Sequence, residues 1–264
     1  CNNNGSCDSG ENATNCSSDC QKNNQACTGL PTGAVANIAV SITQTAVGNN
    51  IFSPSSVYSY GGPSTTNCYY TCAIDYTWNS SVCVKTKITN ATELQNMKDY
   101  PSGNFTLGND IDCSATTGWN GGLGFEPVGF TGKLDGLGFK ILNLYINRPA
   151  DEYVGLFSGL GTGGEIKNVG LVNVNITGEY NAGGLAATNN GTITNSYSTG
   201  SVKATVSGGI WGSSPGGLVG YNNGTITNSY STASVIAAGN GSIYGNNAGG
   251  LASANNNGTI TNSY

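Results

Sequence analysis

The chain has 264 residues, 41 of them Gly and 36 Asn, with 23 charged side chains (9 Lys+Arg against 14 Asp+Glu) and no His. The missing His excludes a Ser-His-Asp triad, a Cys-His nucleophile pair and any His-ligated zinc or iron site. A net charge of −5, with Arg148 the only Arg, argues against a nucleic-acid partner, which needs basic groups to displace phosphate counterions, and no apolar run approaches the ~18 residues that span a bilayer.

Residues 1–26 are polar and Cys-rich, without apolar periodicity. Eight of the nine cysteines fall in two groups of four, Cys1, Cys7, Cys16, Cys20 and then Cys27, Cys68, Cys72, Cys83. No CxxC pair occurs, so two disulfide-stapled modules in an oxidising, extracellular compartment are expected, with the pairing inside each group open. Asp8, Glu11 and Asp19, set among Asn residues and backbone carbonyls, form a candidate Ca²⁺ site, because hard oxygen ligands suit that ion. The chain begins at Cys1 with neither Met nor a leader, which reads as a processed form or an excerpt of something longer. Residues 27–88 hold short apolar alternations, Ala34–Val40 and Val57–Tyr60, and predict a small β domain held by its four Cys.

From about residue 89 the character changes. Asn90-Ala-Thr-Glu93 is a capping box, with Asn90 as N-cap and Glu93 three residues on, and predicts a short helix over 90–100 ended by Pro101. No helix is expected beyond it. Cys113 stands alone and is expected to be a buried small hydrophobe, with pairing between chains as the alternative. Asp110 and Asp112 lie two apart on one face of an expected strand. As paired carboxylates they are the candidates for glycan hydrolysis, against turn and ladder capping, which their setting favours. Asp135-Gly136 reads as a turn.

The C-terminal region repeats. GGLAATNNGTITNSYSTGSV starts at Gly183, GGLVGYNNGTITNSYSTASV at Gly216 and GGLASANNNGTITNSY at Gly249, a spacing of 33 residues each time. Degenerate copies start at Phe130 and Val154. Short β-rich units of this period, with few helix formers, predict a solenoid rather than a propeller, whose blades need ~40 residues. The fold class is therefore all-β: a parallel β-helix over 89–264 of five or six rungs, behind the two N-terminal modules at 1–26 and 27–88. Equivalent residues then sit ~4.8 Å apart on successive rungs. Ile193, Ile226 and Ile260 are expected to stack inside, as are Leu185, Leu218 and Leu251. Asn195, Asn228 and Asn262 are expected to form an amide ladder. The Gly pairs 183–184, 216–217 and 249–250 are expected at sharp corners that call for positive φ. A charge repeated on every rung would repel itself, which accounts for Lys203 being the one charged side chain after Glu179.

Tyr197, Tyr230 and Tyr264 recur on successive rungs and replace Gly170 of the upstream copy, which suggests an outward aromatic ladder for sugar rings or a partner surface. Eleven N-x-[ST] sequons, Asn4, Asn12, Asn15, Asn79, Asn90, Asn104, Asn175, Asn190, Asn223, Asn240 and Asn257, are glycosylation candidates. The sequence stops at Tyr264 inside a rung, and an uncapped edge is expected to pair with a neighbouring copy, head to tail.

These residues resemble a known family. From Ala91 onward, Thr92-Glu-Leu-Gln95, Asn109-Asp-Ile-Asp112, Phe130-Thr-Gly132, Leu134-Asp-Gly136, Asn143-Leu-Tyr-Ile146 and Val154-Gly-Leu-Phe157 precede the GGL…NNGTITNSY rungs. Over about two-thirds of the chain this resembles the GLUG-repeat proteins of bacterial surfaces and secretions. The resemblance implies a right-handed parallel β-helix, common in adhesins and as an accessory region of surface proteases, with no catalytic residues to transfer. Gly5-Ser-Cys-Asp8 to Cys20, and Cys27-Thr-Gly-Leu-Pro31 to Cys83, are similar to small extracellular Cys modules. The expected function is a non-catalytic structural or adhesive rod outside the cell, without a resident cofactor save Ca²⁺, contacting glycans, surfaces or itself. The alternatives are a filament subunit and a glycan-active enzyme using Asp110 and Asp112.

Overall fold

The computed structural model describes residues 34–36, 58–61, 67–72, 76–78, 83–207, 212–240 and 246–264, with side chains from residue 85 onward apart from those of residues 207 and 240. The chain divides into two units, 1–86 and 87–264. In the first, Asn67–Cys72 pairs antiparallel with both Ala34–Ala36 and Tyr58–Gly61, and Tyr76–Trp78 pairs antiparallel with Cys83–Lys85. The boundary at 26/27, the calcium candidates Asp8, Glu11 and Asp19, the sequons Asn4, Asn12, Asn15 and Asn79, and Cys1, Cys7, Cys16, Cys20 and Cys27 lie outside the described residues. So do the side chains of Cys68, Cys72, Cys83 and Asn240.

The second unit is a parallel β-solenoid of about five turns, with a capped helix directly after its first strand. Asn90 accepts the Glu93 N–H at 3.0 Å, and the helix runs Ala91–Asn96 before tightening into a 3₁₀ turn, Met97–Asp99. Glu93 reaches back one residue further than a standard capping box, accepting from the Thr89 N–H at 2.8 Å and its hydroxyl at 2.9 Å. Leu94 and Met97 are buried beneath this turn, which packs on Val128–Phe130. One element departs from expectation. Residues Ser114–Gly122 form 3₁₀ turns broken at Trp119–Gly121, started when Asp112 accepts the Ser114 N–H at 2.9 Å.

Three long columns of parallel strands and a short fourth, Tyr153–Val154, Asn181–Gly183 and Ser214–Gly216, make the coil. The first stacks Lys87–Ile88, Asn104–Leu107, Lys133–Asp135, Glu165–Lys167, Thr192–Thr194, Thr225–Thr227 and Thr259–Thr261. The second stacks Ile111–Asp112, Lys140–Leu142, Gly170–Gly178, Tyr197–Ser207 and Tyr230–Ser231. The third stacks Val128–Phe130, Phe157–Leu160, Ala186–Asn189, Val219–Asn222 and Ala252–Asn255. Register fixes the core. Phe105, Leu134, Ile166, Ile193, Ile226 and Ile260 lie in one line, buried up to Ile226. Leu185 and Leu218 are likewise buried, with the Leu185 N–H on the Leu218 carbonyl and that of Leu218 on Leu251. Each fully buried aliphatic side chain contributes about 1.5–3 kcal/mol relative to exposure.

Two expectations about the corners change. The Gly pairs are not at positive φ; at the equivalent corner of successive rungs the left-handed residues are Asn168, Asn195, Asn228 and Asn262, at φ between 50 and 55°. Asparagine tolerates that conformation, so the Gly pairs serve a different need, namely close approach. A methyl on Gly183 would strike the Ala186 carbonyl oxygen, and one on Gly217 the Gly250 carbonyl oxygen and the Ser231 hydroxyl. The amide ladder is also divided. Asn195 donates to Asn168 Oδ1 at 3.1 Å and Asn262 to Asn228 Oδ1 at 3.2 Å, all on the exterior. A buried ladder runs elsewhere: Asn189 donates to Asn222 Oδ1 and Asn222 to Asn255 Oδ1, both at 2.7 Å.

Candidate functional site

The repeated Thr-Ile-Thr-Asn-Ser-Tyr segment places four different chemistries on one corner. Its Ile points inward and its Asn makes the left-handed turn. Its Ser is buried: Ser196 and Ser229 are each 1 % exposed. Each hydroxyl donates within its own rung, Ser196 to the Thr194 carbonyl and Ser229 to that of Thr227, both at 2.9 Å. Each also accepts an N–H from the rung before: Val169 to Ser196 at 3.2 Å, Ser196 to Ser229 at 3.1 Å and Ser229 to Ser263 at 3.0 Å. The strand break at the corner is thus satisfied by hydroxyls, as buried N–H groups require. These Ser columns were missed in the sequence, although their recurrence beside Asn and Tyr was visible.

Tyr then turns outward. The rings of Tyr197 and Tyr230 stack at 4.9 Å and 2°, and those of Tyr230 and Tyr264 at 5.4 Å and 14°. Tyr197 and Tyr230 are half-buried, Tyr264 is 75 % exposed. Gly170, in register with Tyr197, completes the foot of the stack, since a methyl there would enter the Tyr197 ring. The inner faces of the rings are used against each other. What the ladder offers a partner is a row of phenol edges and hydroxyls.

Asp110 and Asp112 are both exposed, either side of buried Ile111. Asp110 accepts the Lys140 N–H at 2.8 Å. Asp112 accepts the Asn143 amide at 3.1 Å, the Ser114 N–H at 2.9 Å and the Ser114 hydroxyl at 3.0 Å. These hydrogen bonds, that from Asn143 foremost, hold the Asp112 carboxyl below the usual carboxylate range. Asp135 marks a turn, accepting the Leu137 N–H at 2.9 Å. Burial pushes its carboxyl up, but the Asn168 amide, the Leu137 N–H and Lys167 together bring it below the ordinary value.

Cys113 is a free thiol with no exposed surface. Burial, then the charge of Asp112, pushes it up to about 12. It is the interior hydrophobe expected. Of the described sequons, Asn90 is engaged as the N-cap, while Asn104, Asn175, Asn190, Asn223 and Asn257 are exposed. Among the described residues no group of three or more His, Cys, Asp or Glu could hold a metal, and no helix is long and apolar enough to cross a membrane.

Residues 79–200 match the M26 IgA1-specific metallo-endopeptidase N-terminal region, and residues 212–236 match the GLUG motif. Over 131 residues the chain is 40 % identical to halomucin of Haloquadratum walsbyi, covering 45 % of this chain and 1 % of halomucin. Over 116 residues it is 36 % identical to a protein of Evansella cellulosilytica assigned as a Gly-rich membrane protein, covering 40 % of this chain and 13 % of that one. The chain therefore spans a small part of the length of these relatives. A solved structure assigned as an immunoglobulin A1 protease from Bacteroides ovatus aligns with a TM-score of 0.49 and 26 % identity, over 68 % of this chain and 56 % of that one.

Proposed function

We propose that this GLUG-repeat β-helix is a non-catalytic structural and adhesive segment displayed outside the cell, contacting glycans, surfaces or further copies of itself. The observation that carries the reading is the tyrosine ladder, three stacked phenols in register on the outside of rungs that carry almost no charge. Such a column repeats one weak contact at each rung, so that avidity rather than any single contact provides the hold. The likeness to halomucin and to a Gly-rich membrane protein supports a place at the cell surface. The setting of Asp112 disfavours it in one catalytic role, that of general acid. A glycosidic general acid needs a raised carboxyl, whereas Asp112 is held low by Asn143 and Ser114.

Beads coated with the intact chain are expected to adhere to polysaccharide-bearing surfaces or to one another. The Tyr197→Ser/Tyr230→Ser/Tyr264→Ser variant is expected to lose that adhesion with its β circular-dichroism spectrum intact. Unchanged adhesion in the triple variant overturns the ladder's role. Cleavage of a polysaccharide or of IgA1 by the intact chain, lost in Asp110→Asn or Asp112→Asn, overturns the non-catalytic reading.

A further inference from the structure

Away from the tyrosine ladder, a groove of about 450 Å³ opens on the solenoid, lined by Tyr153, Asn181, Thr188, Asn190, Tyr221 and Asn223. Its size lies within the range of ~300–1,000 Å³ of small-molecule sites. Register sets its layout. Tyr153 pairs with Asn181 on the next rung, and Thr188 with Tyr221 on the rung after that. The two phenols therefore stand two rungs apart, roughly 10 Å along the axis. Among the described residues neither ring stacks on another aromatic ring, and both line the groove. Tyr153 is 47 % exposed.

Between the rings lie groups that both donate and accept. Asn223 donates to Asn190 Oδ1 at 3.2 Å, which fixes both amides and leaves Asn190 Nδ2 and Asn223 Oδ1 directed to other partners. Asn181 adds a third amide and Thr188 a hydroxyl. No lining residue is charged.

We propose that this groove binds a short neutral oligosaccharide, its sugar faces on Tyr153 and Tyr221 and its hydroxyls on Asn181, Asn190 and Asn223. Aromatic faces supply apolar contact and amides supply paired donors and acceptors, which suits the alternating apolar and hydroxylated surface of a hexose. A carboxylated sugar would find no cation among the lining residues. The proposal deepens the adhesive reading by giving it a ligand class, and rests on that reading for its biological use.

The test uses the intact chain made in a host without N-glycosylation, since Asn190 and Asn223 each head an Asn-Gly-Thr sequon. Saturation-transfer NMR and calorimetry with neutral gluco-, manno- and galacto-tetrasaccharides, and with their uronate or sialylated counterparts, read the binding. A neutral tetrasaccharide is expected to bind, and more tightly than an anionic one, since no lining cation can pair with a carboxylate. Tyr221→Ala and Tyr153→Ala are each expected to weaken it about tenfold, the scale of one lost aromatic contact. Tyr153 is exposed enough for its truncation to leave the fold intact. Binding that survives both groove variants but fails in Tyr197→Ser or Tyr230→Ser overturns the groove and moves the sugar to the ladder. No glycan binding with adhesion retained overturns the groove alone; loss of both overturns the adhesive reading as well. Preferential binding of short peptides over every sugar overturns the ligand class.

Discussion

Asn168 donates its side-chain amide to the Asp135 carboxylate at 2.9 Å, and that carboxylate is where an exterior amide column stops, Asn195 donating to Asn168 one rung on. The same device recurs beside it. Asn173 donates to Asn143 at 2.8 Å and Asn143 to Asp112 at 3.1 Å. Each run of neutral amides thus ends on an anion that accepts without needing to donate, so no amide is left facing a like partner at the foot of the column.

Acid sensitivity follows from these two carboxylates. Both are held below their ordinary values in the folded chain, so the unfolded chain binds their protons more readily. Their contribution is fully present above the unfolded carboxyl value, about 4, and is lost as pH falls through the lower folded values. The solenoid's Tm is expected to be level from neutrality to about pH 5 and to fall below about pH 4. Asp135→Asn is expected to flatten part of that fall. A Tm that rises on acidification would contradict the assignment.

Inside the coil, Asn189, Asn222 and Asn255 form a second amide column that runs the opposite way. Asn189 and Asn222 have no exposed surface. Asn222→Ala takes the acceptor from Asn189 and the donor from Asn255, and an unsatisfied buried polar group costs about 1–3 kcal/mol. Its neighbour Asn223 is exposed, and Asn223→Ala is expected to stay within about 0.5 kcal/mol. Chemical denaturation of the two variants checks the contrast. Equal effects would mean that the inner column is not satisfied as described.

Much of the architecture could be read from period and composition, because stacking at a fixed spacing makes a repeat in sequence a line in space. Ile193, Ile226 and Ile260 are such a line. Which Asn faces inward was less legible. Both Asn189 and Asn195 recur in every copy, and the amide carries no apolar signal to mark its face. The inner column continues the line of Phe130 and Leu160, which pair with each other and with Asn189; only the register between degenerate and regular copies exposes that. The groove was illegible for a different reason. Tyr153 belongs to a degenerate copy, and it meets Asn181 and Tyr221 only once three rungs are stacked.

Glycine 217 and glycine 250 occupy the same place in successive copies but face different surroundings. A methyl on Gly217 meets the Gly250 carbonyl oxygen and the Ser231 hydroxyl, whereas one on Gly250 meets nothing within 4 Å. Neither is at positive φ, so the difference is purely steric. Gly217→Ala is expected to cost about 1–3 kcal/mol or more, the range for overpacking, and Gly250→Ala to be close to neutral. A matched pair of urea melts decides it, and an equally large loss at Gly250 would place an unseen neighbour above that position.

Cys113 offers a chemical probe of the same interior. Its N–H donates to the Leu142 carbonyl at 2.8 Å, and its own carbonyl accepts from Thr116 N–H at 2.9 Å and from the Thr116 hydroxyl at 2.6 Å. The residue is thereby fixed where strand gives way to 3₁₀ turn, with its sulfur enclosed. Since the thiol is pushed up to about 12, only about one molecule in ten thousand carries the reactive thiolate at pH 8. Iodoacetamide at pH 8, read by peptide mapping, is expected to leave Cys113 unmodified in the folded chain and to label it once urea unfolds the coil. The rate in intermediate urea is expected to follow the population of opened molecules. Cys113→Val, close in volume and apolar, is expected to keep the fold, while Cys113→Asp is expected to lose it, because a carboxylate there would be buried beside Asp112 without a partner. Rapid labelling of the folded chain, or recovery of Cys113 in a disulfide between two chains, would show that the first turns open far more readily than their packing allows.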